Sequence, residues 1–530
     1  MLTKHVPRLA AVCIVTMLPI RGSGQENSGK PWDSAMNDLC EVVSWNDLRV
    51  LAKSVAENPY VKPGPAPESL TNLTYDDYIK ISFRDDRSIW LKERLPFWMQ
   101  TYHQGFVQRD SVELFELSVT NDQQRTCKRI PFTKSDFDFG DLPPTLPESG
   151  HAGLKICGKS SDGRPREMLS FLGSSYFRAC SDNTVYGASS RGLAVDIALN
   201  KNEEFPKFRA FWIEKPSRTQ DSLVILGWLD SPSVAGAYRF CVRPLGRQMQ
   251  IDVECELFFR ASPDKVAYAP ITSMWMWGDG LSAPSLDLRP SVHDSDGLLI
   301  HSGDSNWKWR PLTRQAYPSV SSTRVDAVHG FGLMQRDRDE RHFQDSNALY
   351  HRRPSVWVEP KQPWRNGKIE LLEIPGAHEG IDSIGAYFVP DRKPETGESR
   401  RLEYTIEFSD HEPETHDRLL KLTSLDVDYQ GQGTVQMELR FEGASQETLS
   451  VKNIDLASEA MRGQVTETKL STIPNGILAQ LLIETDGDGP VELEWVLRSR
   501  GSRISETVGY LLSPRQPEFV YPAVYTRQEE

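Results

Sequence analysis

From about residue 60 onward, apolar and polar positions alternate in short runs broken by Pro, Gly, Asp or Asn. Runs of that length and period predict strands rather than helices. Tyr238 to Val242, Ile251 to Phe259 and Ile369 to Ile374 are three of them. Before residue 60 the period is different. Ser44 with Asp47 three residues later forms a capping box, and Trp45, Leu48, Leu51, Ala52 and Val55 then recur at helical spacing. This predicts one short helix ending near Asn58.

The alternation is cleanest near the C-terminus. Leu402, Tyr404, Ile406 and Phe408 interleave with Glu403, Thr405 and Glu407; Val435 to Phe441 and Val491 to Leu497 repeat the pattern. One buried and one wet face per strand over about 120 residues predicts an immunoglobulin-like sandwich. The polar stretch from Val389 to Ser399 carries Pro390 and Pro394 and reads as a linker. The expected division is therefore a leader at 1–24, a large β-sandwich at 25–390, a linker at 391–400 and a smaller sandwich at 401–530. The fold class is all-β.

The leader rests on Lys4, His5 and Arg8 ahead of the apolar run Leu9 to Ile20, with Gly22, Ser23 and Gly24 after it. That is the pattern of a secretory signal peptide, and the run is too short to span a bilayer. Of 530 residues, 61 are Lys or Arg and 74 are Asp or Glu, a net charge of -13. A surface that acidic repels phosphate, so nucleic acid is not an expected partner. Removing the leader leaves six of the 7 cysteines, an even number that export would permit to pair. Cys241 and Cys255 flank a turn-rich stretch and are the one local candidate pair; six separate buried thiols are an equal alternative.

Candidate chemistry concentrates in the large domain. Eight of the 13 tryptophans lie between Trp212 and Trp364, and six of the histidines between His293 and His378. Three polar segments stand out there: His293-Asp294-Ser295-Asp296-Gly297; Gln335 to Asp339 running on to Asp345, Tyr350 and Arg353; and Glu373, His378, Glu379 and Asp382. Trp307, Trp309, Arg310 and Trp357 are interleaved with them. Carboxylates near aromatic rings suit a carbohydrate site, where one acid protonates the glycosidic oxygen, another activates water and indoles stack on sugar faces. Each piece has a plainer reading. Asp294 to Gly297 alone is a turn, and it is out of register for a calcium loop. The Arg/Asp run is more often a solvated face, and tryptophans are more often core. His293, His301 and His378 lack the spacing of a zinc set. No cofactor is implied.

Taken in order, longer motifs carry more. Phe171 to Ala179, Gly187 to Asp196, Glu203-Glu204-Phe205-Pro206, Thr272-Ser273-Met274 and Arg289-Pro290 come first. Trp309-Arg310-Pro311-Leu312, Gly330 to Leu333, Gln335 to Arg338, Arg353-Pro354-Ser355 with Trp357 to Pro360, and Glu373-Ile374-Pro375 follow. Their order and spacing resemble the periplasmic glucan biosynthesis proteins G and D over almost the whole mature chain.

The resemblance implies a large galactose-mutarotase-like β-sandwich joined to an immunoglobulin-like one, a periplasmic location, and inverting hydrolysis of β-1,2-linked glucan. The general acid falls on Asp382 and the general base, acting through water, on Asp294. Tyr350 matches a substrate-holding tyrosine. Glu379, His293, Asp296, Trp307, Trp309, Arg310 and Trp357 are the other expected substrate contacts, and His293 or Arg289 is expected to keep Asp294 ionised. The membrane glucan synthase is a candidate partner. A non-hydrolytic glucan-binding scaffold and a glucan transglycosylase are the alternatives. Leu288, Asn306 and Ser383 depart from the family pattern in segments expected to line the cleft.

Overall fold

The computed structural model describes residues 39–517, except 65, 121, 123, 144–145, 286, 304–305, 376–377, 415–418, 432 and 444–449. The leader segment lies outside the described residues.

The expected helix is Trp45–Ala56, and the Ser44 hydroxyl accepts from the Asp47 amide at its first turn. Leu48 and Ala52 are fully buried on its inner face. They pack, with Leu39 and Val42, on Trp212, Leu226, Trp228 and Ala237 of the sheet beneath. The rest is strand. Two large sheets form the body. The first runs from Phe97–His103 through His151–Lys159, Pro165–Leu172, Tyr176–Ala179, Ser189–Arg191, Val266–Ser273 and Ile384–Pro390 to Gly367–Glu373 and Ser319–Arg324. The second has fifteen strands, with Gln248–Phe259 and its neighbours at its centre and Arg125–Arg129 at one edge. Their inner faces interdigitate through a core that includes Phe171, Phe177, Phe211, Phe240, Ile251, Ile271, Phe331, Ile369 and Ile406.

The boundary between the two units is not where the proline-rich stretch suggested. Strand Ser399–Ser409 pairs along its length with Gln248–Phe259, and Ser355–Pro360 pairs on its other side. It is a central strand of the large sheet, and the change to the smaller unit comes after Ser409. Alternation reports that one face of a strand is buried, not which sheet buries it.

The smaller unit has two layers. Lys421–Gly431, Thr434–Glu442, Gly476–Thr485 and Gly463–Ile473 make one antiparallel sheet. Ile454–Met461, Val491–Ser499 and Thr507–Leu512 make the other, and this one continues the large sheet, because Thr507 and Val508 pair in parallel with Lys308 and Trp309. Val435, Met437, Leu439 and Phe441 face Val491, Leu493, Trp495 and Leu497 in a second core, as their alternation predicted.

That second core also contains Trp307, Trp309 and Trp357, each at most 4% exposed. They lie on the outer face of the large sheet under the smaller unit and are not sugar platforms. Gly297 and Gly330 make room for two of them, since a Cβ at either would collide with the Trp309 or Trp357 ring. Cys241 and Cys255 are not opposite each other either. Cys255 faces Tyr238, Cys241 faces Asp252, and the two side chains enter different cores. No helix among the described residues is long and apolar enough to cross a membrane.

Candidate active site

Four consecutive residues, Thr272 to Trp275, brace both acid-bearing segments. They leave the end of strand Val266–Ser273, which lies beside Ile384–Pro390. The Thr272 hydroxyl donates to Asp382 Oδ2 at 2.7 Å. The Ser273 hydroxyl donates to the Ser295 hydroxyl at 2.8 Å. The Met274 carbonyl accepts from the Asp294 amide at 2.8 Å. Trp275 exchanges hydrogen bonds with the Ser383 hydroxyl through its own N–H and C=O, both at 3.3 Å, and pairs with His293 across a short two-stranded ribbon. The Asp382 carboxylate and the backbone that carries Asp294 are thus fixed to one rigid strand end, the placement that holds catalytic groups best.

Each acid also meets an arginine. Arg353 Nε lies 3.1 Å from Asp294 Oδ1, and Arg178 Nη2 lies 3.9 Å from Asp382 Oδ1. The Arg178 guanidinium is oriented by donation to the Ser189 hydroxyl. Burial pushes the Asp294 carboxyl above its ordinary range; Arg353 and then Arg178 pull it back, and Asp382 pushes it further up. The expected helpers of Asp294 play other parts. His293 is buried, with Nδ1 3.0 Å from Gln335 Oε1, and burial pushes it down to about 4, so it is neutral near pH 7. Arg289 is committed to Asp287, Glu379 and Asp345 at 2.6, 2.7 and 3.0 Å.

Glu379 stands at the site's rim. It accepts from the Tyr350 hydroxyl at 2.5 Å as well as from Arg289. Its carboxylate is engaged with these two groups rather than with Asp382. Asp296 is spent on the backbone, accepting from the amides of Arg336 and Asp337. Arg310 is buried in an ion pair with Glu373 at 3.0 Å. Neither is placed as a sugar contact. Asn306 is also remote: its side-chain oxygen accepts from Arg503 of the smaller unit at 2.6 Å. Leu288 is 90% exposed beside Arg289, and Ser383 is one of the brace contacts.

The Arg/Asp run divides: Asp339, Arg341 and His342 form the solvated ion-pair face its composition suggested, whereas Arg336 and Arg338 turn inward. Arg336 is a buried link to Glu506 and Glu412, and Arg338 donates to the carbonyls of His351 and Arg353, which fixes the segment carrying Tyr350. His293, His301 and His378 do not converge; His301 stacks on Trp307. Among the described residues no set of three metal-binding side chains comes together.

Arg178 and Arg353 form part of the wall of a groove of about 1550 Å³, which Trp98, Tyr102, Tyr186 and Arg352 also line. A groove that size exceeds a monosaccharide's needs and suits an oligomer. Sequence reasoning passed over these wall residues. Arg178 and Arg353 were inside the quoted motifs, and a carboxylate that must remain charged while buried was the signal that a cation had to be near. The wall aromatics gave no such signal.

The family model described as periplasmic glucan biosynthesis protein, MdoG, matches residues 43–512. A curated relative, glucans biosynthesis protein G from Pectobacterium atrosepticum, is 39% identical over 406 residues, covering 74% of this chain and 77% of the relative. Among solved structures, the GH36 α-galactosidase AgaB from Geobacillus stearothermophilus is similar at 9% identity and a TM-score of 0.25, over 49% of this chain and 39% of that one. A galactose mutarotase related enzyme from Lactobacillus acidophilus gives 7% and 0.21, over 46% and 96%. Scores that low carry no argument about chemistry.

Proposed function

The chain belongs to the periplasmic glucan biosynthesis protein family and serves glucan biosynthesis; from that premise we propose that it is an inverting endo-β-1,2-glucanase of the periplasm that processes the glucan backbone. Asp382 is its general acid and Asp294 its general base, acting through water. The observation that carries this reading is the shared brace, which fixes two acid-bearing segments nearly ninety residues apart to one strand end. A protein that only holds glucan has no need of two carboxylate-bearing segments anchored to one strand end.

In the proposed reaction glucan lies along the groove past Arg178 and Arg353. Asp382 gives its proton to the departing glycosidic oxygen while water attacks the anomeric carbon from the opposite face, and the water's proton passes to Asp294. Burial makes Asp294 a stronger base than an exposed aspartate, and Arg353 opposes that rise. The Tyr350 hydroxyl, oriented by Glu379, holds a sugar hydroxyl.

The test is incubation of the purified chain with linear β-1,2-glucan, reading chain lengths by chromatography and the anomer of the first product by NMR. Shorter glucans with an inverted anomeric centre from the wild type, and none from Asp382→Asn, are expected. A retained anomer points instead to a double-displacement transferase. Glucan retention without any cleavage points to a binding protein.

A further inference from the structure

Two thiols that the glucan chemistry does not use lie against each other at the edge of the large sheet. Cys127 sits in the edge strand Arg125–Arg129, with its side chain turned inward to the layer under the N-terminal helix. Cys40 is in the short helical turn Leu39–Glu41, which packs on that strand. The main chain around Cys40 is pinned from both sides. The Leu39 carbonyl accepts from the Trp212 indole at 3.0 Å, and the Val43 carbonyl accepts from Arg125 at 3.1 Å. The contact is thus made by tertiary structure, not by proximity along the chain. Burial, and next the Cys40 thiol beside it, push the Cys127 thiol up to about 12.

We propose that Cys40 and Cys127 are a disulfide site that fastens the N-terminal segment over the open edge of the fifteen-stranded sheet. The inference rests on the export reading above for its cellular setting, but its chemistry is a property of the folded chain. Cys40 is exposed, so its thiolate is the one a disulfide donor reaches first. It attacks the donor, one donor sulfur leaves as a thiol, and a mixed disulfide forms. The Cys127 sulfur then displaces the second donor sulfur. Two thiols are oxidised to one disulfide, both protons go to the released donor thiols, and the donor is reduced by two electrons. The product closes a long loop and blunts a free strand edge, both of which favour the folded state. Cys157, Cys180, Cys241 and Cys255 are all buried and serve as internal controls.

The experiment is to equilibrate the purified full chain with oxidised and reduced glutathione, quench in acid, alkylate after unfolding and map the peptides. The expected result is a linked peptide joining Cys40 to Cys127, with Cys157, Cys180, Cys241 and Cys255 alkylated. In Cys127→Ser, Cys40 should carry glutathione and no internal link. Wild-type protein in which Cys40 carries glutathione while Cys127 remains alkylatable overturns the pairing. Dithiothreitol should lower the melting temperature of oxidised wild type and leave Cys40→Ser unmoved; an equal effect on both also overturns it. Protein recovered from the periplasmic fraction should already carry the link, and reduced thiols there overturn the cellular claim. Recovery from the cytoplasm alone counts against export, while the glutathione result still decides the pairing.

Discussion

The Thr272 hydroxyl donates to Asp382 Oδ2 at 2.7 Å from the residue directly before the one that holds Ser295, next to Asp294. That bond orients the proposed acid without touching substrate. Replacing Thr272 by Val keeps the shape and removes the donor. The expected outcome is a fall in kcat of roughly 10–100-fold with KM nearly unchanged, against about 1000-fold or more for Asp382→Asn. Steady-state kinetics on linear β-1,2-glucan, with circular dichroism to confirm folding, checks both. Equal activity in Thr272→Val and wild type would remove the brace from the mechanism.

Arg353 is the strongest of the charges that oppose burial at Asp294. Without it the carboxyl takes up its proton more readily, so its pKa rises. A general base is inactive when protonated, and the acid-side limb of the kcat/KM profile must therefore move to higher pH in Arg353→Met. Arg353→Lys, which restores the charge but not the planar fork, should move the limb part of the way back. A limb that stays in place in Arg353→Met would mean that Asp294 is not the titrating base.

Much of the fold was legible in the alternation, and the reasons it stopped there are specific. Val435 to Phe441 and Val491 to Leu497 went to the core their pattern predicted, because both of their faces are settled within one small sandwich. Leu402 to Phe408 was read correctly as a strand and assigned to the wrong unit, since both of its partner strands lie upstream in sequence, one by about 150 residues and the other by about 50. Trp307, Trp309 and Trp357 failed as sugar platforms for the same reason: whether an indole is covered depends on a unit elsewhere in the chain. The two acids were reached through motif resemblance, whereas their brace was not visible. Thr272, Ser273 and Ser383 are common residue types, and only three-dimensional contact gives them a role.

His151 and His293 are both buried, and burial pushes each down to about 4. In the unfolded chain histidine titrates near 6.5. Between those two values the unfolded state binds protons that the folded state does not. Stability from these groups is therefore full above about pH 6.5 and is lost as pH falls toward 4, on the order of 3 kcal/mol for each. Urea denaturation at pH 7, 5.5 and 4.5 should show this loss, and His151→Gln should show a shallower slope. An identical slope would mean that His151 is not the group responsible.

Arg336 ties the large sheet to the smaller unit. Its guanidinium lies over the Trp309 ring at 3.7 Å and pairs with Glu412 at 2.7 Å and with the fully buried Glu506 at 2.8 Å. Glu506 also accepts from the Leu422 amide at 2.8 Å. Burial pushes the Arg336 guanidinium down, and Glu412 and Glu506 more than offset it. Glu506→Gln keeps an acceptor for Leu422 but leaves the guanidinium with one carboxylate in a dry site. The cost should be roughly 3 kcal/mol, because removing one member of a buried ionic set strands the charge that remains. Arg336→Met alone should cost a similar amount by stranding Glu506. Adding Glu506→Gln to Arg336→Met should then cost far less than the sum, since the double variant buries no unpaired charge there. Chemical denaturation of the four proteins measures this coupling, and additive losses would show that the two residues do not act as one latch.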